Sequence, residues 1–192
     1  MNAPGDRLNL LIVEDDERTM EELLRILPKH TNLNILSAPA PGRAIEAADS
    51  APIHLVLLDM KLPEMSGMEL LPVLKEKHPD LLATIMTGFG EASTPMTAKE
   101  KGAVDFIEKP IDLSYLLATL RFQEREARIR LGLRNTAELL QKFFSLTKDG
   151  ISITDAGGEA LISNTLGREL RDQAPALKDG DRVRREKNEY EL

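Results

Sequence analysis

The first 120 residues of this 192-residue chain predict a doubly wound α/β domain built on a five-stranded parallel sheet. Three observations predict it. Five short apolar runs recur at regular intervals: "LNLLIV" (8–13), "LNILSA" (33–38), "IHLVLL" (53–58), "LLATIM" (81–86) and "AVDFIE" (103–108). Each is followed by a stretch with helical spacing, such as Leu23, Leu24 and Leu27, or Leu70, Leu71 and Leu74. The runs are also continuous rather than alternating, which suits strands covered on both faces by helices.

In a sheet of this kind, chemistry belongs in the crevice beyond the carboxyl ends of the strands, where the strand order reverses. The residues at those ends are polar. After the first strand comes "EDDE" (14–17); the third run leads into Asp59, the fourth into Thr87, and the fifth into Lys109-Pro110. Glu14, Asp15 and Asp59 would converge as three carboxylates, each like-charge pair costing on the order of 1–4 kcal/mol at about 4 Å. Such a cluster calls for a cation. With only oxygen ligands, a hard ion is favoured, and Mg²⁺ suits a site that also holds a phosphoryl group.

A carboxylate is a competent nucleophile toward phosphorus once a metal offsets the repulsion between like charges. Asp59, alone at its strand end, is the natural acceptor, with Glu14 and Asp15 holding the metal. Thr87 could then hydrogen-bond one phosphoryl oxygen and Lys109 pair with another. Because the acids are consecutive, the metal pair could instead be Asp15 and Asp16; Glu14 and Asp15 are preferred because they follow directly on Val13. Each residue has a plainer rival. Asp59 could be a turn or cap residue, "EDDE" an acidic helix start, Thr87 a strand-end threonine, Phe106 a core aromatic and Lys109 a surface lysine.

Composition narrows the field. There is no cysteine, which excludes disulfides and thiolate metal sites, and the three histidines lack ligand spacing. Neither a membrane span nor the basic-then-apolar form of a secretion signal is visible, so the cytoplasm is the expected location. Residues 1–120 carry 11 Lys+Arg against 19 Asp+Glu, while 121–192 carry 14 against 13. The acidic part would repel nucleic acid, and direct DNA binding is not expected.

Taken in order, "LLIVEDD", "LVLLDMKLPEMSGMELL", "ATIMTGFGE" and "GAVDFIEKP" resemble the receiver domain of two-component response regulators, over residues 7 to about 122. The resemblance implies a flavodoxin-like receiver fold. It also implies that Asp59 is phosphorylated by a histidine kinase or phosphotransfer protein, with Asp15 as the main acidic Mg²⁺ ligand, Glu14 beside it and the backbone carbonyl of Lys61 completing the shell. Thr87 and Phe106 would form a switch pair, Lys109 would meet the phosphoryl group, and the Lys109-Pro110 bond would be cis. Pro63 and Gly67 fit the family's loop after the acceptor. The state would be relayed through a face carrying residues 91–101, 103–107 and 112–120, and enzymatic turnover would be limited to the domain's own phosphate.

Beyond this domain (1–122) a helical connector is expected over 123–148 and an incomplete or flexible tail over 149–192. "DLSYLLATLRFQEREARIRLGLR" (112–134), with Asp112 as N-cap, reads as the last helix prolonged outward, ended or kinked at Gly132; "TAELLQKFFSL" (136–146) reads as a separate helix. Positions 113, 117, 120, 127 and 131 approximate a heptad seam, interrupted by Glu124, through which a homodimer could form. The rival is a solvated helix held by Arg/Glu pairs. "DGISITDAGGEALISN" (149–164) reads as two short strands around a Gly-Gly turn and resembles the start of a PAS sensory domain. The output is open between an interaction module and a transcription regulator whose effector lies outside this chain.

Overall fold

The computed structural model describes residues 7–88, 99, 101–146, 151–154, 160–164 and 168. The chain divides into two units, residues 1–132 and 133–192.

The first unit contains β1 (Asn9–Val13), α1 (Glu17–His30), β2 (Asn34–Ala38), α2 (Pro41–Ser50), β3 (Leu55–Asp59), α3 (Gly67–Lys77), β4 (Leu82–Thr87), β5 (Asp105–Glu108) and the first part of α4 (Leu113–Leu146). The five strands are all parallel in the order β2-β1-β3-β4-β5. All five expected strands are present, each within two residues of its expected position at either end. Most of residues 91–101, expected on the relay face, lie outside the described residues.

Alternation along the strands explains why their apolar runs are continuous. On β1, Leu11 and Val13 point to one face with Val56, Leu58, Ala83 and Ile85, where Ala44, Ala48, Leu70 and Leu74 of α2 and α3 cover them. Leu10 and Ile12 point to the other face with Leu55, Leu57, Leu82 and Met86, covered by Leu23 and Leu27 of α1 and Leu116 and Leu120 of α4. A strand buried on both sides has no solvent-facing position to fill with a polar residue.

The helix starts are fixed locally. Asp16 caps α1, accepting from the Thr19 backbone N–H at 2.8 Å and its hydroxyl at 2.7 Å. At α3 the Glu69 carboxylate accepts from the Ser66 backbone N–H at 3.0 Å and from its hydroxyl at 2.7 Å. Pro72 inside α3 has no N–H to offer the Met68 carbonyl, and the Lys101 ammonium lies 3.4 Å from that oxygen. Asp112 accepts from the Ser114 and Tyr115 N–H groups at the start of α4, while Tyr115 and Thr119 donate their hydroxyls to Asp105 of β5.

Two expectations about α4 need correction. The helix runs continuously from Leu113 to Leu146, so Gly132 neither ends it nor separates a second helix. One glycine costs only about 1 kcal/mol relative to alanine, which 34 helical residues absorb. The expected dimer seam is also the wrong stripe. Leu120 and Ala127 are buried, and Leu117 and Leu131 pack on the same cluster, so these positions face the domain's own sheet.

In the second unit, β6 (Ser152–Thr154) and β7 (Ala160–Ser163) pair antiparallel, as expected; the Gly-Gly turn lies outside the described residues. Asn164 closes the open end: its side-chain oxygen accepts from the Ile151 N–H at 3.0 Å, and its own N–H donates to the Ile151 carbonyl at 3.0 Å.

Candidate functional site

Between β1 and β3 the order of strands reverses, β2 lying to one side of β1 and β3, β4 and β5 to the other. The two strands at this point deliver acids. The Glu14 N–H donates to the Ala38 carbonyl at 3.2 Å, holding Glu14 at the end of β1, and Asp59 is the last residue of β3. Among the described residues Glu14, Asp15 and Asp59 form a group whose carboxylate oxygens lie within 4.8 Å of one another. Glu14 and Asp59 are only 1% and 5% exposed, whereas Asp15 is open to solvent. Asp16, the other acid offered for the pair, caps α1 and is not in this group.

Lys109 enters from the end of β5, its N–H donating to the Thr87 carbonyl at 2.7 Å, and the Lys109-Pro110 peptide is cis. Its ammonium donates to Glu14 Oε1 at 2.9 Å, Glu14 Oε2 at 2.7 Å and Asp59 Oδ2 at 2.9 Å. Burial pushes the Glu14 carboxyl up to about 6, the Asp59 charge adding to it and the Lys109 hydrogen bond opposing it. Burial pulls the Lys109 ammonium down, but hydrogen bonds to Glu14 and Asp59 and their charges outweigh it, holding it above its ordinary value. The result is a site in which one ammonium is shared by two buried acids, with the third acid open to solvent. An all-oxygen cluster of this size is the donor set a hard divalent cation takes.

The other expected residues surround this core. Thr87, buried at the end of β4, has its hydroxyl 3.4 Å from the Gly88 carbonyl. The exposed Lys61 has its backbone nitrogen 3.4 Å from Asp59 Oδ1. Phe106 pairs in register with Ile85 and packs, half-buried, on the core cluster rather than among the acids.

The loop between Asp59 and α3 is pressed onto the strand end. The Gly67 N–H donates to the Met60 carbonyl at 2.9 Å, and a Cβ at position 67 would lie 2.1 Å from the Asp59 carbonyl oxygen. Only glycine allows that approach. Glu64 adopts φ 70°, a left-handed conformation uncommon outside glycine, asparagine and aspartate. The spacing of "LPEMSG" shows a turn but neither of these contacts. Nor does any sequence signal pair Lys109 with Glu14, 95 residues away.

A doubly wound parallel sheet with an acid cluster and a lysine at its switch point defines an α/β protein that works at the carboxyl edge of its strands. The chain belongs to the response regulator receiver domain family, which matches residues 10–121. It is similar to the response regulator protein PilR of Pseudomonas aeruginosa, 31% identical over 171 residues, covering 88% of this chain and 36% of that one. It is 32% identical to the photosynthetic apparatus regulatory protein RegA of Rhodovulum sulfidophilum, over 60% of this chain and 63% of RegA. It therefore spans less than two thirds of the length of either relative. Among solved structures, a CheY-like response regulator receiver domain from Methanospirillum hungatei aligns with a TM-score of 0.61 and 25% identity, over 65% of this chain and 99% of that one. The receiver domain of a LuxO repressor homologue from Vibrio parahaemolyticus aligns with a TM-score of 0.60 and 27% identity, over 66% of this chain and 97% of that one. Among the described residues no helix is long and apolar enough to cross a membrane.

Proposed function

We propose that Asp59 accepts a phosphoryl group from a phosphohistidine on a partner kinase or phosphotransfer protein. The observation that carries this reading is the position of Asp59 at the switch point, with Lys109 at 2.9 Å from its Oδ2 and Glu14 and Asp15 alongside. In the transfer, an Asp59 carboxylate oxygen attacks phosphorus, the P–N bond breaks with its electron pair going to nitrogen, and the ring leaves as neutral imidazole because the other ring nitrogen of the phosphohistidine already carries a proton. Glu14, Asp15, Asp59 and the Lys61 carbonyl would hold Mg²⁺, which when bound neutralises charge on the phosphoryl oxygens. Lys109 pairs with one of those oxygens and Thr87 hydrogen-bonds another. Drawing Thr87 toward the phosphoryl group gives Phe106 room to turn, and this biases an equilibrium between two arrangements of the surrounding face.

Turnover is confined to the domain's own phosphate. "DMKL" lacks an acid two residues beyond Asp59 to act as general acid toward a free substrate, and the neighbouring Glu14 carboxylate is held by the Lys109 ammonium. The transcriptional regulatory protein ZraR of Escherichia coli, 31% identical over 115 residues, supports transcription control as the output. In that case the effector is supplied outside the acidic receiver, which itself avoids DNA, and the protein works in the cytoplasm.

The test is labelling by acetyl phosphate in Mg²⁺, followed by intact mass. The chain is expected to gain one phosphoryl group and Asp59→Asn none. Equal labelling of Asp59→Asn would overturn the assignment.

A further inference from the structure

Two lysines clasp α3 to the turn that precedes β5. The Gly102 N–H closes that turn on the Lys99 carbonyl at 2.9 Å, and the Val104 N–H ties it to the sheet through the Ala83 carbonyl at 2.8 Å. Gly102 adopts φ 91°, and a Cβ there would lie 2.9 Å from Lys75 Nζ and 3.2 Å from its Cε, so the Lys75 stem lies on the turn. In the other direction the Lys101 ammonium reaches back to the Met68 carbonyl at 3.4 Å. Positions 68 and 75 are two helical turns apart, about 10 Å, so the clasp runs along α3 rather than holding it at one point.

The Met68 carbonyl has a use for such a donor, because the residue four positions on is Pro72, which has no N–H. The same turn of helix anchors the loop that follows Asp59. Ser66 and Glu69 form its capping box; hydrogen bonds from Ser66 hold the Glu69 carboxyl below its ordinary value, and the Lys101 charge adds to them. Gly67 is pressed on the Asp59 carbonyl with its N–H on the Met60 carbonyl, while the Met60 N–H donates to the Met86 carbonyl at 2.8 Å. The sheet therefore holds one end of the loop and the first turn of α3 holds the other.

We propose that Lys101 is a positioning residue for the phosphoacceptor loop: by supplying the donor that Pro72 withholds, it keeps the first turn of α3 seated against the end of β3. The ammonium at the acids is that of Lys109, so Lys101 acts only through α3. With the arm removed, Met68 loses its outside donor, the first turn loosens, and Gly67 is held less firmly on the Asp59 backbone. The proposal rests on Asp59 as the acceptor, but the contact itself is testable without any phosphoryl group.

The experiment uses the full 192-residue chain and compares Lys101→Met with the parent. Amide hydrogen exchange, measured without phosphate or metal, should quicken severalfold at Gly67 and keep the parent's rate along β1. Labelling by acetyl phosphate in Mg²⁺ should slow about two- to tenfold. Lys101→Arg, which keeps a donor, should restore both. Pro72→Ala gives Met68 a donor within the helix, at an exposed position, and should label as the parent does. Adding Lys101→Met to Pro72→Ala should then lose most of its effect, whereas a general weakening would persist there and would quicken exchange on β1 as well. Parent-like exchange at Gly67, parent-like labelling, no recovery in Lys101→Arg, or equal losses with and without Pro72 would each overturn the proposal. A parent that takes no label at all would instead sink the acceptor reading, and the proposal with it, even where exchange upholds the contact.

Discussion

Thr84 of β4 and Gln123 of α4 are buried, 0% and 1% exposed, on the sheet face that the helix covers. The Gln123 amide nitrogen donates to the Thr84 hydroxyl at 2.7 Å, while Oε1 has no partner among the described residues. Whichever way the amide is turned, one end of it is paired here and the other is not. Thr84→Val keeps the shape but removes the hydroxyl, leaving both ends of the amide unpaired, and should cost about 1–3 kcal/mol. Gln123→Met keeps the length and strands the threonine hydroxyl instead, but it also removes the orphan oxygen, so its cost should be smaller, about 0–1.5 kcal/mol. The double variant has no buried polar group left at this contact and should be as stable as the parent or more so. The cycle therefore predicts a coupling of about 1–4.5 kcal/mol between the two positions. With no tryptophan in the chain, urea unfolding is best followed by far-ultraviolet circular dichroism. Additive losses, with the double variant less stable than either single one, would refute the reasoning.

Four further outcomes are expected. Gly67→Ala drives a methyl to 2.1 Å from a main-chain oxygen and should destabilise by more than about 2 kcal/mol, read as a lower urea midpoint with unchanged slope. Lys109→Met removes the ammonium shared by Glu14 and Asp59, so Mg²⁺ affinity by calorimetry should rise severalfold while labelling by acetyl phosphate falls. Protons compete with the cation at Glu14, whose carboxyl titrates at about 6, so Mg²⁺ should bind more weakly at about pH 5 than at about pH 7.5. His54 accepts the Asn9 N–H at 2.9 Å, and burial holds its pKa below 6.5, so the unfolded chain protonates first. Its contribution to stability is complete above pH 6.5 and lost as pH falls through the lowered value, so His54→Gln should show a shallower loss of urea midpoint on acidification.

The sheet and the positions of its polar strand ends are legible in the sequence because each is a local pattern. Continuous apolar runs such as "LVLL" identify strands covered on both faces, and the residue that follows each run marks its carboxyl edge. Periodicity along α4 is legible too, but it does not say which stripe meets the sheet. Leu117, Leu120, Ala127 and Leu131 read as a seam between copies and are in fact part of the core. What could not be read is the pairing of polar groups far apart in the chain. Gln123 finds Thr84 across 39 residues, and Lys109 finds Glu14 across 95. Each depends on tertiary approach rather than spacing. Spacing within "EDDE" likewise does not tell that Asp16 turns to cap α1 through Thr19 while Glu14 and Asp15 lie near Asp59.

The lysine shared by Glu14 and Asp59 bears on how this domain could behave as a signalling element. An acid cluster without an internal cation would need a metal to fold around, and ion binding would then be inseparable from folding. Here the protein carries its own counter-ion, so the domain can be stable before any divalent cation arrives. On the proposed reading, loss of a bound divalent cation would therefore cost phosphoryl transfer without costing the domain its structure.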